Sequence, residues 1–436
     1  MKKILAFLCA VLLLLPGCAG SSAVTEAAYP GMRAYPDPMD SGSIEYKLWR
    51  EEREKLRAVQ YDGYEEGMET FVRKTAAAVL GGAENGNRIY SPLNLYFTLA
   101  VLAEITGGNS RSQILDAMEV ENTDVLRRKI PALWTANYCT DGTKNSVFAN
   151  SLWLDRSVNF REDTLALLAE TYYASSYSGN MGSDSFGQEY RDWLNEQTGG
   201  LLADSAENLG FAEDSLLALA STVYYSAKWQ HEFREELTEE GVFHAPSGDA
   251  VCDFLYMEAE TLYYYGENYA AVSLPFNGNT DSRMWFFLPD EDTAVTDLPN
   301  DAEVSSLYLT GDGTSADRIV HIRIPKFDVS SELELSGTLK NLGITDIFDP
   351  ASADFSPLTG KLSGKIGVDS AKHAVRTAID EEGCTAAAYT ALRIYGAGMP
   401  PDEEVEITFD RPFLFVITGP RDTVLFMGIV NDPMGK

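Results

Sequence analysis

Along the first half of the chain, apolar positions recur at helical spacing over 71–80, 93–105, 110–117 and 164–173, and that period of 3.6 residues predicts helices there. The second half changes character. Met284-Trp285-Phe286-Phe287-Leu288 and the runs at 413–417 and 424–430 are short, unbroken and apolar, and are closed off by Pro, Gly and Asp. That is the pattern of strands covered on both faces. Helices come first, then a mixed region, then strands, without regular strand–helix alternation. One large α+β domain over 67–436 is therefore expected, not a doubly wound sheet.

Residues 1–66 read differently. Lys2 and Lys3 precede an apolar run at 4–15, followed by Leu15-Pro16-Gly17-Cys18. A run this short after a basic start suits a cleaved secretory signal over 1–17. The Leu-x-Gly-Cys ending resembles the bacterial lipobox, which implies acylation of Cys18 and an extracytoplasmic chain anchored at the cell surface or envelope. At ~0.8 kcal/mol per buried methylene, two or three acyl chains hold firmly. Residues 18–66 then read as a lipid-anchored tether. The part at 19–43 is small, polar and proline-bearing (Pro30, Pro36, Pro38), hence flexible. The part at 44–59 is charged, with Leu48, Trp49 and Leu56 as sparse apolar positions, and reads as an extra helix or a piece of stalk.

Composition narrows the function. The 436 residues are 45% hydrophobic and 11% aromatic, too apolar for disorder. A formal net charge of -32 repels phosphate backbones and anionic headgroups, so no nucleic-acid partner is expected and membrane contact is expected through the lipid alone. Once Cys9 leaves with the signal and Cys18 is acylated, Cys139, Cys252 and Cys384 remain. They are odd in number and lack metal-like spacing, so buried thiols are expected. The four histidines are His231, His244, His321 and His373. No His-Glu-x-x-His, Gly-x-Ser-x-Gly or phosphate-binding-loop motif occurs, which leaves zinc protease, α/β-hydrolase and nucleotide hydrolase without support. Gly311-Asp312-Gly313 lacks the later glycine of a dinucleotide fingerprint. A scattered Ser/His/Asp triad carries no contiguous signature, so a hydrolase stays open as a third alternative. The expectation is no enzyme, metal or cofactor.

Several blocks, in order, resemble the serpin family. Asn87-Arg88-Ile89-Tyr90-Ser91-Pro92-Leu93-Asn94 is similar to the family's Asn-x-x-x-Ser-Pro-x-Ser helix start, and Gly107, Gly108, Ser110, Gln113 and Ile114 continue it. Asn150-Ser151-Leu152-Trp153 resembles the strand that opens the large sheet. Trp193, Thr198 and Gly200 follow, then Val223-Tyr224-Tyr225-Ser226-Ala227-Lys228-Trp229 with Phe233, Thr238 and Phe243. Leu274-Pro275-Phe276, Pro325-Lys326-Phe327, Leu342-Gly343-Ile344, Asp354-Phe355-Ser356, Asp410-Arg411-Pro412-Phe413 and Leu425-Phe426-Met427-Gly428 complete the set. The resemblance implies three β-sheets, about eight or nine helices, an exposed reactive-centre loop and a monomer. It also implies a polar shutter cluster of Ser91, Asn94, Ser221 and His373 beneath the large sheet. The family has serine at the position of Asn94 and asparagine at that of Ser221. A buried amide and hydroxyl can trade places with their hydrogen bonds kept. Arg191 stands where an asparagine is usual, and nothing in the sequence accounts for it.

The stretch Glu381-Glu382-Gly383-Cys384-Thr385-Ala386-Ala387-Ala388-Tyr389-Thr390 is similar to the hinge of inhibitory serpins. A loop that becomes a central strand needs small residues on its inward face, and strand side chains alternate faces. Cys384, Ala386, Ala388 and Thr390 are all small, which leaves the bulky Tyr389 on the other face. Gly383 is read as backbone freedom at the pivot. The resemblance implies suicide trapping of a serine protease, with insertion of the loop after acylation. Family spacing puts the scissile bond at Ala397-Gly398, with Arg393 and Tyr395 as alternatives. Small Ala397 suits an elastase-like or subtilisin-like target, and a papain-like cysteine protease also forms an acyl intermediate. Trp229, Lys326 and Glu381 are expected to meet at the breach where the loop enters, Lys326 and Glu381 as an ion pair that gates it. The alternative is a non-inhibitory binding or scaffold protein of the same fold whose loop is only cleaved.

Overall fold

Pro92–Ile105 is apolar all round, with every side chain buried except that of Thr98. Such a helix must be enclosed on all sides, and it becomes the axle of the fold. Ser91 caps it by accepting the Asn94 N–H, and Pro92 stands in the first turn, where a missing N–H does no harm. The structure is a computed structural model that describes residues 22–36, 42–84, 86–142, 144–198, 209–277, 282–360, 366–368, 371–384 and 403–435. Cys18 lies outside the described residues, as do Thr385, Ala386, Ala387, Ala388, Tyr389, Thr390, Ala397 and Gly398.

Ten α-helices form among the described residues: α1 (Ile44–Arg57), α2 (Met68–Leu80), α3 (Pro92–Ile105), α4 (Gly108–Met118), α5 (Thr123–Asn137), α6 (Glu162–Thr171), α7 (Asp184–Gln197), α8 (Ala302–Thr310), α9 (Ser336–Asn341) and α10 (Ser356–Thr359). This exceeds the eight or nine expected because α1 belongs to the segment before the domain and α10 is a single turn. The four periodic segments became α2, α3, α4 and α6.

The large sheet runs in the order β1 (Ala23–Thr25), β5 (Ala174–Gly179), β4 (Lys144–Asp155), β6 (Leu217–Lys228), β14 (Gly383–Cys384), β13 (Lys372–Ile379) and β12 (Phe327–Glu334), with β3 (Cys139–Thr140) beside β4. The second ladder runs β15 (Glu404–Thr408), β11 (Ser315–Pro325), β8 (Gly248–Tyr265), β9 (Tyr269–Pro275), β10 (Arg283–Pro289), β16 (Phe413–Thr418), β17 (Val424–Val430) and β2 (Arg88–Tyr90), with β7 (Glu239–Ala245) beside β8. The 18 residues of β8 pair in turn with β7, β11 and β9. The second and third sheets implied by the resemblance are thus two arms of one continuous ladder. Every residue of β16 and β17 is buried, as their unbroken apolar runs require.

The segment read as a flexible tether is seated on the domain over 22–36. β1 pairs antiparallel with β5, and the Ser178 N–H donates to the Ser22 carbonyl at 2.7 Å. Tyr29 stacks on Trp134 at 5.6 Å, beside Tyr138 and Tyr173, which themselves stack on Trp134 at 4.3 and 3.9 Å. Beyond it the Tyr35 N–H donates to the Asp141 carbonyl at 2.7 Å. Trp49 of α1, buried, meets Tyr35 edge-on at 4.9 Å and donates Nε1–H to Asp141 Oδ2 at 3.2 Å. The physical reason is twofold. β5 would otherwise expose the unpaired edge of a large sheet, and the ring-lined seat around Trp134 takes an aromatic side chain well. Replacing Tyr29→Ala removes about 2–3 kcal/mol of burial and ring stacking. The thermal midpoint of the uncleaved chain should fall by a few degrees in calorimetry, and an unchanged midpoint would mean that this arm carries no stability.

Candidate functional site

At one end of the large sheet, β13 turns into β14 through Asp380-Glu381-Glu382-Gly383. Asp380 builds the turn: its Oδ1 accepts the Glu382 and Gly383 N–H groups, both at 3.0 Å, and its own N–H donates to the Gly383 carbonyl at 2.9 Å. The turn is pinned to the loop after β6. The Trp229 N–H donates to the Glu382 carbonyl at 3.0 Å, Trp229 Nε1–H to the Asp380 carbonyl at 2.9 Å, and the Phe233 N–H to the Glu381 carbonyl at 2.9 Å. Trp229 is itself fixed by stacking on Phe276 at 5.0 Å.

Lys326 and Glu381 form the expected ion pair, bidentate, with Nζ at 2.8 and 3.1 Å from the two carboxylate oxygens. Thr238 Oγ1 donates to Glu381 Oε1 at 2.8 Å. Burial pushes the Glu381 carboxyl up, but the hydrogen bonds from Lys326 and Thr238 outweigh it and hold the group below the usual carboxylate range. Burial likewise opposes the charge on Lys326, and Glu381 overcomes it, so the ammonium titrates above its ordinary value. The Glu381 side chain is 13% exposed and that of Lys326 35%, so the pair is sheltered on the carboxylate side and open to water on the other.

Two residues, Gly383 and Cys384, then enter the sheet. They pair antiparallel with Lys228 and Ala227 of β6, and Cys384 pairs with Ile379 of β13. A Cβ on Gly383 would stand 2.3 Å from the Ala227 carbonyl oxygen. Backbone freedom is therefore not what this glycine supplies: its φ is not in the left-handed region, and the requirement is close approach. Cys384 is buried. Among the described residues no ladder joins β6 to β13 except through these two residues. Since β14 is antiparallel to both, β6 and β13 run parallel to each other. A strand continuing β14 would run antiparallel to both.

Beneath the middle of the sheet lies the polar cluster. His373 of β13 accepts the Ser91 N–H on Nε2 at 3.0 Å, so the ring proton belongs on Nδ1. Burial pushes its pKa down to about 4. Ser221 Oγ lies 2.5 Å from Asn94 Oδ1 and 2.6 Å from Asn150 Oδ1. One hydroxyl carries one hydrogen, and both Nδ2 atoms are buried without a partner among the described residues. Turning one amide by half a turn gives Nδ2–H to Oγ and Oγ–H to the other Oδ1, which joins all three groups in one chain and leaves the second Nδ2 without a partner among the described residues. The exchange of serine and asparagine therefore keeps a bonded chain. Asn150, quoted from sequence only as part of a strand, is its third member.

The sequence pattern of serpins, described as serine protease inhibitors, matches residues 67–433. The chain belongs to the serpin family. It is 29% identical over 369 residues to Serpin-ZX of Arabidopsis thaliana, covering 81% of this chain and 93% of that protein. It is also 29% identical over 382 residues to plasminogen activator inhibitor 1 of Neovison vison, covering 83% and 91%. Among solved structures it resembles Arabidopsis AtSerpin1 in its native stressed conformation, with a TM-score of 0.73 at 24% identity, over 85% of this chain and 98% of that one. That likeness concerns the fold. Serpins are in general protease inhibitors directed at serine proteases, not catalysts.

In this serpin the structure brings Trp229, Lys326 and Glu381 together, and joins Asn94 to Ser221 and Ser91 to His373. Sequence reading missed Asp380, Phe233 and Thr238 as partners of the hinge. Asp380, two residues before Glu382 and three before Gly383, has the spacing of an Asx turn and was legible, whereas the other two are joined to it only by folding. Arg191 now has a role: its guanidinium donates to the Leu209 carbonyl at 2.7 Å and to Gln188 Oε1 at 2.9 Å, tying α7 to the segment before β6. Cys139, Cys252 and Cys384 are buried, with no disulfide among the described residues. Burial pushes the Cys139 and Cys252 thiols up to about 11.

Gly383→Ala should expel β14 from the sheet, and hydrogen exchange at 383–384 should rise by an order of magnitude or more. Unchanged protection would remove the steric argument. For His373 the folded value lies below the unfolded value of ~6.5, so the unfolded chain gains a proton between about pH 6.5 and 4 that the folded chain refuses. Stability from this group is complete above pH 6.5 and declines by up to about 3 kcal/mol on acidification to 4. Denaturant midpoints of His373→Gln should show a correspondingly flatter dependence than the parent over that window, and parallel curves would refute the assignment.

Proposed function

We propose that this serpin is an extracytoplasmic serine-protease inhibitor consumed in a single encounter, held to a membrane through acylated Cys18. One observation carries the reading: β6 and β13 are spaced by a strand only two residues long, and the chain beyond it is free of proline and charge from Thr385 to Leu392.

The protease serine Oγ attacks the carbonyl carbon of Ala397. The bond to the Gly398 nitrogen breaks, and the departing amine takes the proton that the protease base removed from the serine. An ester to Ala397 remains. Cutting frees the segment after Cys384 to continue β14 between β6 and β13, with Ala386, Ala388 and Thr390 on the face of Cys384. About ten added strand residues contribute ~1 kcal/mol each in hydrogen bonding, plus side-chain burial, against the entropy of ordering them. The gain is enough to drag and distort the attached protease before water reaches the ester. The Lys326–Glu381–Thr238 clamp holds the hinge at its entry until cleavage. An elastase-like or subtilisin-like protease fits the small Ala397, and a papain-like cysteine protease forms the corresponding thioester. The chain itself supplies no catalytic group and works as a monomer.

Incubation with elastase-like and subtilisin-like proteases, followed by a denaturing gel, should give a band at the summed mass. Ala388→Arg places a charge on the inward face and should abolish that band while leaving cleavage and folding intact. A clipped chain without a complex from the parent protein would point to a scaffold whose loop is merely a substrate.

A further inference from the structure

We infer that the seated arm at 22–36 makes the lipid anchor a short leash that fixes which pole of the molecule faces the bilayer. The inference rests on the acylation of Cys18 proposed above. Only four backbone steps lead from Cys18 to Ser22, whose carbonyl is bound by Ser178 at the end of β5. Four residues span at most about 14 Å. A tether free over its whole length, from Cys18 to the domain start at 67, would reach roughly 170 Å and impose no orientation.

The seat is continuous. After β1, the Ala27 N–H donates to Ser175 Oγ at 3.1 Å, Tyr29 fills the ring-lined slot, and Met32 Sδ accepts the Thr140 N–H at 3.4 Å. Arg33 then pairs with Glu52 of α1 at 2.8 Å. The leash ends beside Ser178 and Gly179, the latter level with Asp155 at the end of β4. The hinge is level with Lys144, at the other end of the same strand, through Ala227 and Cys384. Eleven steps of β4 separate the two poles by about 36 Å. The bilayer therefore lies next to the pole opposite the hinge, and the hinge pole faces outward, on the side open to a soluble protease.

Insertion then has a direction relative to the membrane. Ala397 stands thirteen residues beyond Cys384, about 43 Å of strand, which exceeds the length of the sheet. A trapped protease is carried to the anchored pole and delivered against the bilayer.

The test uses the acylated full-length chain in phosphatidylcholine vesicles carrying an acceptor dye on lipid. A donor dye is placed on Asn180→Cys, at the anchored pole, or on Glu236→Cys, next to Thr238 at the hinge pole. Both positions are exposed, whereas the remaining native thiols are buried. Energy transfer should be several-fold greater from position 180 than from 236. In Tyr29→Ala/Tyr35→Ala the difference should shrink severalfold while vesicle binding persists, because the leash lengthens. Equal transfer from both sites in the parent, with binding intact, overturns the orientation alone. Absence of vesicle binding, or binding unchanged by Cys18→Ser, overturns the anchor and the orientation with it. A donor-labelled protease should show transfer rising severalfold from its encounter complex to its covalent complex, and a fall would overturn the delivery.

Discussion

Two parallel strands, β6 and β13, are bridged at one end by two residues and by no other ladder among the described residues. In a sheet this large, such a position is a store of free energy. Backbone groups pair better with a strand than with water or with nothing, and under the proposed mechanism the segment past Cys384 supplies that strand. The hinge is built around that constraint. Gly383 has no side chain because the Ala227 carbonyl leaves no room for one, and Cys384 is small and buried. The turn is built by Asp380 and held from outside by Trp229 and by Lys326, which pairs with Glu381.

Under the proposed mechanism the layer beneath has to let the sheet part without letting water in. It is lined by polar groups bonded in a line, all buried except the half-buried Ser221, not by an apolar seam. His373 stays neutral because burial opposes its charge, and so it can accept the Ser91 N–H at the start of α3. Ser221 and two amides complete the chain. Bonds of this kind are specific in geometry and expensive to leave half made, which favours two discrete arrangements of the sheet over a continuum.

The N-terminal arm adds an element that the domain's own pattern does not foreshadow. It covers the edge of the sheet with β1, fills a slot of stacked rings with Tyr29 and ends in a helix whose one buried side chain is Trp49. Its sequence looks like a linker because its contacts are few and spaced. Tyr29 meets the rings around Trp134, Met32 the Thr140 N–H, and Tyr35 the Asp141 carbonyl and Trp49 of α1.

Much of this was written in the chain order. The apolar runs at 413–417 and 424–430 became fully buried strands, and the helical periods became α2, α3, α4 and α6, because burial on one face or on all faces leaves a local record. The start of α3 at Ser91-Pro92 was equally plain. Other features have no local record. That Gly383 is a steric necessity, that Asn150 belongs with Asn94 and Ser221, and that 22–36 is seated depend on which strands become neighbours. Sequence separations of 71 and 127 residues close into single hydrogen bonds at Ser221. Periodicity reports what a segment buries. Only the assembled sheet decides what it is buried against.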